Sequence, residues 1–328
     1  MSIPEIIYCP STLKEGYTSY SNLALKKVFN AKKVSPILPY NSPASKSYDE
    51  EVFIENRKRM SISGVQEKFT VILEKNRLAL TPEKQQGQYI LKPIPNVGKN
   101  TDQMPANEHL TMQIANQVFG IETAENALIF FKNGEPAYIT KRFDIREDKS
   151  KWAQEDFASL AQRTPQTHGE DYKYVGNYLE LFEVLKKYVP AYKVESVKLF
   201  KLVLFNYLIS NGDAHFKNFS LIETPLGDFR LSPAYDLLNS RIHIEDRDFA
   251  LDEGLLPPNK VQGNIKSQFY TLGQLSGISE KQIEKVFSSL TSNEDQVARL
   301  INASFLKEKI KRSYTQLYQT KLKKLTKN

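Results

Sequence analysis

Asn211-Gly212-Asp213-Ala214-His215-Phe216-Lys217-Asn218-Phe219 is the stretch on which the reading of this chain turns. It follows the most apolar run in the sequence, Leu199 to Ile209, which is interrupted only by Lys201 and Asn206. A helix that stops at Asn-Gly delivers the carboxylate of Asp213 onto a loop. Asn218 stands five residues further on, directly before a short β-rich piece. Phosphoryl transfer needs an Asp to orient or deprotonate the attacking hydroxyl and an Asn just beyond it to ligate magnesium, at this same spacing. Lys217 is placed to neutralise the transferring phosphoryl group, and His215 to support either carboxylate. Taken alone, the stretch reads equally as a helix-ending turn with polar surface residues.

Working outward, Pro233-Ala234-Tyr235-Asp236-Leu237-Leu238 puts a second Asp 23 residues beyond Asp213. Such an Asp holds magnesium against the β and γ phosphates of ATP; its plainer role is a cap for a following turn. Upstream, Gln88 to Lys92 is a short apolar strand stopped by Pro93, which lacks the ladder donor. Ala106 to Phe119 has the helical spacing of Leu110, Ile114 and Val118, with Gly120 placed to end it. Glu108, on that helix, lies 16 residues after Lys92, and a strand Lys that grips phosphates and pairs with a helix Glu belongs to the same chemistry. Ser61-Ile62-Ser63-Gly64-Val65-Gln66-Glu67-Lys68 stands where a phosphate-cradling loop is needed. It has one glycine, so its other reading is a Ser-rich turn before a strand. Lys141-Arg142-Phe143 ends the next hairpin, where two lobes would meet and adenine would be read.

Length and composition bound the rest. The 328 residues suggest two domains or one bilobal unit, and 25% charged with 40% apolar residues is ordinary globular composition. No apolar run approaches the roughly 18 residues of a membrane span, and the N-terminus lacks the layout of a secretory signal. The single cysteine, Cys9, excludes an internal disulfide and a cysteine-clustered zinc site. A cytoplasmic location is expected. The net charge of +7 resides entirely in residues 301–328, which hold eight Lys/Arg and one Glu. A basic amphipathic terminal helix is more often a solvated face than a DNA-reading element, so no direct specific nucleic-acid binding and no membrane association are expected.

The order of elements is strand (Lys68 to Leu73), strand (Leu78 to Leu80), strand, helix, then a hairpin whose strands flank Asn133-Gly134. A mostly helical half follows, with helices over Asp156 to Arg163, Tyr178 to Tyr188 and Val194 to Ile209. Two β-like pieces interrupt it near residues 219–222 and 229–231. The expected fold is α+β and bilobal. Residues 1–50 form an irregular N-terminal segment. Residues 51–143 form a β-rich N-lobe with the phosphate loop and Lys strand, and residues 144–328 a helical C-lobe with the catalytic loop and basic C-terminal helix.

With these residues in place, the chain resembles the HipA family of bacterial toxin kinases. The carriers are SISGVQEK, YILKP, ANEHLTM, KRFD, NGDAHFKNFS and LSPAYDLL, spread from Ser61 over roughly four-fifths of the sequence. The resemblance implies a protein-kinase-like fold of the HipA C-terminal type that binds ATP and Mg2+. It implies phosphate transfer to a serine of an aminoacyl-tRNA synthetase, tryptophanyl or glutamyl, which inhibits translation and arrests growth. Residue by residue, it makes Asp213 the catalytic base, Asn218 and Asp236 magnesium ligands, and Lys92 the ATP-phosphate lysine. It makes Ser63, Gly64, Val65, Gln66, Glu67 and Lys68 the phosphate loop and Lys141, Arg142 and Phe143 the adenine hinge. Ser61 matches the autophosphorylated loop serine, and Ser63 offers a second hydroxyl.

Longer members begin with an additional N-terminal subdomain, whereas only 60 residues precede the loop here. That is similar to the short HipT kinases of HipBST toxin–antitoxin systems, in which a small companion protein supplies the missing piece. The implied partners are therefore that companion, an antitoxin with a helix-turn-helix DNA-binding domain, and the synthetase substrate. A small-molecule kinase shares the Asp…Asn…Asp layout. From another class, a weakly active ATP-binding scaffold within a DNA-bound repressor complex remains open.

Overall fold

Phe69–Glu74 (β1) turns through Lys75 and Asn76 into Arg77–Leu80 (β2), as seen in a computed structural model that describes residues 3–43, 67–83 and 85–327. Both turn residues have positive φ, 45° and 67°, which matches the twist a two-residue hairpin loop needs. Tyr89–Lys92 (β3) pairs with the other side of β1. Asn126–Phe130 (β4) and Pro136–Lys141 (β5) form the hairpin expected around Asn133-Gly134. The result is one antiparallel five-stranded sheet in the order β2-β1-β3-β5-β4.

β4 reads as a continuous apolar run because both of its faces are buried. Leu128 and Phe130 point into the larger core, with Leu110, Met112 and Ile114. Ala127 and Ile129 point the other way, into a second core completed by the N-terminal segment through Cys9, Tyr20, Val28, Phe29 and Leu38. That segment carries an eight-residue helix, Asn22–Phe29 (α1), capped by the Ser21 hydroxyl on the Ala24 N–H. Residues 36–40 then run parallel to β4. The Phe130 N–H donates to the Pro36 carbonyl (2.8 Å) and the Leu38 N–H to the Phe130 carbonyl (2.7 Å). The chain thus covers its own β4 edge, a position otherwise open to foreign strands.

The helix between β3 and β4, Met104–Gln113 (α2), has no exposed face: every residue from Pro105 to Gln113 is buried. It lies between the sheet and the helical lobe. It continues as a π-helical stretch over Ile114–Val118 and ends near Gly120 (φ +61°), so the expected single helix is an α-helix with a π-helical last turn. His109 on α2 bonds the Ser11 carbonyl through Nε2 (2.9 Å), and its Nδ1 has no hydrogen-bond partner among the described residues. Protonating Nδ1 would place a charge in the core, and burial holds the imidazole down at about 4. The unfolded chain therefore binds the extra proton below about 6.5, and stability is lost as pH falls from there towards 4. His109 accounts for on the order of 3 kcal/mol of that loss. Urea unfolding across pH 7 to 4.5 should show a shallower decline for His109→Gln than for the parent; parallel profiles would refute this.

In the helical lobe, Phe157–Leu160 (α3), Pro165–His168 (α4) and Leu179–Tyr188 (α5) lead to Tyr192–Leu208 (α6), whose apolar run is the centre of the larger core. Gln154–Asp156 (β6), Ser220–Glu223 (β7) and Phe229–Leu231 (β8) make a small antiparallel sheet. Ile265–Leu275 (α7), Glu280–Thr291 (α8), Glu294–Ala303 (α9) and Glu308–Thr326 (α10) close the lobe.

The basic tail is not simply a solvated face. In α10, Ile310, Tyr314, Tyr318, Leu322 and Leu325 are buried at helical spacing. Lys321, 1% exposed, pairs with Asp248 (2.5 Å) and lies 4.1 Å from the Tyr207 ring centroid. Burial brings its ammonium down to about 8. No helix among the described residues is long and apolar enough to cross a membrane.

Candidate active site

Lys92 is the last residue of β3, a central strand, opposite Tyr138 on β5. It is 4% exposed, and its ammonium sits 5.3 Å from the Tyr138 ring centroid. α2 passes under the sheet and brings Glu108 Oε1 to 2.6 Å from Lys92 Nζ, a pair with both side chains buried. The same ammonium also bonds Asp236 Oδ1. Lys68, at the foot of β1, approaches Asp236 Oδ2 at 3.6 Å. Against the cost of burial, Lys68 and Lys92 hold the Asp236 carboxyl well below the usual range, so it is ionised. Burial pushes the Glu108 carboxyl up while Lys92 pulls it back. Asp236 sits in the left-handed region (φ 54°), a conformation Asp tolerates better than most residues.

The Asn211–Phe219 stretch leaves α6 through Ser210, which is left-handed (φ 59°). Asn211 bonds the Asn206 side chain at 2.9 Å and reaches the Asp236 carbonyl at 3.5 Å. Gly212 has another task. Its N–H donates to Ser240 Oγ (2.8 Å), and a Cβ there would stand 2.3 Å from the Asp246 carboxylate. Any side chain at 212 would push those groups apart. Asp213 follows, with Oδ1 accepting the Tyr174 hydroxyl at 2.8 Å. Burial raises the Asp213 carboxyl, and Tyr174 and Lys173 oppose that. Tyr174, Gly212, Asp213 and Asp246 line a groove of about 420 Å³.

His215 packs edge-on against Tyr174, with centroids 5.1 Å apart. Burial, aided by the Lys173 cation, takes its imidazole down to about 3, so it is neutral. Lys217 lies near the Tyr172 hydroxyl (3.4 Å) and Asp156 (3.9 Å). The Tyr235 hydroxyl, one residue before Asp236, donates to the Lys217 carbonyl (3.0 Å), one residue before Asn218, which ties the two loops together. Asn218 Oδ1 is buried with no hydrogen-bond partner among the described residues. An orphaned carbonyl oxygen with an ionised Asp236 is an oxygen donor set that suits magnesium, which takes one or two carboxylates and completes its shell with phosphates and water. Among the described residues no group of three or more His, Cys, Asp or Glu could hold a metal by itself.

At the lobe junction, Lys141 Nζ bonds Asn30 Oδ1 at the end of α1 (2.6 Å), so its side chain serves the N-terminal segment. The Arg142 N–H donates to the Gln88 carbonyl (2.9 Å), and its guanidinium pairs with Asp144. The Phe143 ring stands 6.0 Å from that of Tyr235. Of the residues expected to form the phosphate loop, Glu67 and Lys68 are described; Ser63, Gly64, Val65 and Gln66, and the expected autophosphorylated Ser61, lie outside the described residues. Tyr174 was not anticipated, because nothing local marks a tyrosine 39 residues before Asp213 as its partner.

The profile of the family "HipA-like C-terminal domain" matches residues 60–299. A Haemophilus influenzae protein described as a "Putative kinase" is 25% identical over 332 aligned positions, covering 93% of this chain and 92% of the relative. "Putative kinase Y4dM" of Sinorhizobium fredii is 32% identical over 220 positions, 62% of this chain and only 51% of that longer protein. Among solved structures, HipA from the Shewanella oneidensis complex of HipA, HipB and operator DNA superposes with a TM-score of 0.61. It is 19% identical, over 87% of this chain and 72% of that one. The Helicobacter pylori proinflammatory kinase CtkA gives 0.52 at 14% identity, over 77% of this chain and 92% of that one. These likenesses establish the bilobal α+β, kinase-like fold.

Proposed function

The chain belongs to the HipA-like C-terminal domain family, and from that premise we propose that it is a cytoplasmic Mg-ATP-dependent serine/threonine protein kinase and the toxin of a toxin–antitoxin system. The observation that carries the reading is the convergence on Asp236 of Lys68 and of Lys92, which is itself paired with Glu108, beside a loop bearing Asp213 and Asn218. Lys92, fixed from below by Glu108, presents a buried cation to the phosphates. Asn218 and Asp236 would hold Mg2+, which supplies charge neutralisation on the β and γ phosphates. Asp213 accepts the proton of the acceptor hydroxyl as the hydroxyl oxygen bonds to the γ phosphorus and the bond from that phosphorus to the β–γ bridging oxygen breaks, releasing ADP. Lys141, Arg142 and Phe143 form the adenine hinge, and Ser63 to Lys68 the phosphate loop, with Ser61 or Ser63 as the autophosphorylated position.

The proposed substrate is a serine of an aminoacyl-tRNA synthetase. The proposed partners are a helix-turn-helix antitoxin, as the HipB of the Shewanella complex suggests, and a HipT-type small companion. Phosphoproteomics after controlled expression tests the reading: one dominant new phosphoserine, absent with Asp213→Asn, is expected. No ATP-dependent change in any protein would overturn it.

The isolated chain is expected to bind DNA weakly and without sequence preference. Its excess charge lies in the tail, where Lys307 pairs with Asp102 (2.6 Å) and Lys321 and Lys324 with Asp248. Mobility-shift assays should show binding that vanishes steeply with added salt. Tight, sequence-selective binding at physiological salt would move the DNA-reading role from an antitoxin to this chain.

A further inference from the structure

We infer that Tyr174 is a positioning residue for Asp213, fixing which carboxylate oxygen receives the acceptor proton; the inference rests on the kinase reading above. An Asp side chain has a broad, roughly two-fold final torsion, so an unanchored carboxylate has no preferred oxygen. Here Oδ1 is committed to the Tyr174 hydroxyl at 2.8 Å. Oδ2 takes no hydrogen bond from any described residue, and Asp213 remains partly exposed in the groove it shares with Tyr174.

The phenol is itself held on several sides. The Tyr174 N–H donates to the Asp171 carbonyl (2.8 Å), and the Tyr174 carbonyl accepts from the Asp252 N–H (3.0 Å). The ring is edge-on to neutral His215, and Lys173 Nζ lies 4.9 Å from its centroid. Burial and the adjacent Asp213 raise the phenol well above its ordinary value, so it remains a protonated donor. The segment around Tyr174 is also tied to the catalytic loop, since the Phe216 N–H donates to the Lys173 carbonyl (3.2 Å).

With Oδ1 occupied, the acceptor hydroxyl has one oxygen to address. Its proton passes to Oδ2 as the new O–P bond forms on the γ phosphorus. The bond from that phosphorus to the β–γ bridging oxygen breaks, and ADP leaves with the electron pair. Misplacing the accepting oxygen by an ångström costs up to about 100-fold in rate.

The test is Tyr174→Phe, which keeps the ring and removes the hydroxyl. Transfer should fall about 10- to 100-fold in kcat, with the KM for ATP and the melting temperature unchanged. In an Asp213→Asn background the substitution should have no further effect. An unchanged or raised kcat would overturn the inference, the latter marking the phenol as a mimic of the acceptor that blocks the base. A loss of kcat that tracks a lowered melting temperature would overturn it too, as a packing effect. Failure of the kinase reading is distinguishable, because it shows as a parent protein that transfers no phosphate. In that case the Asp213 carboxyl carbon resonance, measured without substrate, must shift in Tyr174→Phe, and an unmoved resonance would refute the contact.

Discussion

Asp213→Asn is expected to lower phosphate transfer by about 10² to 10⁴-fold, the range a positioned general base contributes, while leaving the protein as stable as before or more so. The two halves of this result have one cause. Burial raises the Asp213 carboxyl, so its negative charge is held at a cost to the fold. An asparagine removes the charge, keeps an oxygen to accept the Tyr174 hydroxyl, and differs little in shape. It cannot take the acceptor proton. Steady-state transfer assays beside thermal melts decide the matter: substantial activity in Asp213→Asn removes the residue from the chemistry. A melt lowered by many degrees would make it a structural group.

Lys92→Met should be severe in both respects. Its ammonium is the shared partner of two carboxylates, Glu108 at 2.6 Å and Asp236. Deleting it leaves Glu108, 2% exposed, buried and uncompensated. Breaking a buried pair in this way costs roughly 3–5 kcal/mol, softened to the extent that Glu108 takes up a proton. ATP-dependent thermal stabilisation should disappear. Adding Glu108→Gln to Lys92→Met should recover much of the stability, because the stranded charge is gone, but none of the ATP response. Urea unfolding and nucleotide thermal shifts on the two single variants and the double variant separate the effects. If Lys92→Met keeps its ATP response, the lysine is an internal strut and nothing more. If the double variant is no more stable than Lys92→Met, charge stranding is not the cause.

Much of the N-lobe was legible because its signals are local. Alternating and continuous apolar runs mark β1 to β5 within a residue or two, and Asn133-Gly134 marks the hairpin, since turn geometry depends on neighbouring residues alone. The helix bearing Glu108 was placed, but its π-helical end was not, because the apolar spacing of Leu110, Ile114 and Val118 suits either winding. β6, three residues long, was missed because it exists only by pairing with β7. α1 escaped notice within a segment punctuated by prolines, and the left-handed residue after α6 is Ser210, one position before the Asn-Gly pair.

The sequence by itself determined the kinase-like division into a β-rich and a helical half. It also carried the order Lys92, Glu108, Asp213, Asn218, Asp236, because each of these rests on residue type and short-range spacing. Only the tertiary structure decided which groups meet. Lys92 joins Asp236 across 144 residues and Tyr174 joins Asp213 across 39. His109 meets Ser11 across 98 residues, and Lys321 turns inward to Asp248 instead of outward to solvent. The physical reason is that a side chain's burial and partners depend on which distant segments pack around it, and no periodicity within one element encodes that.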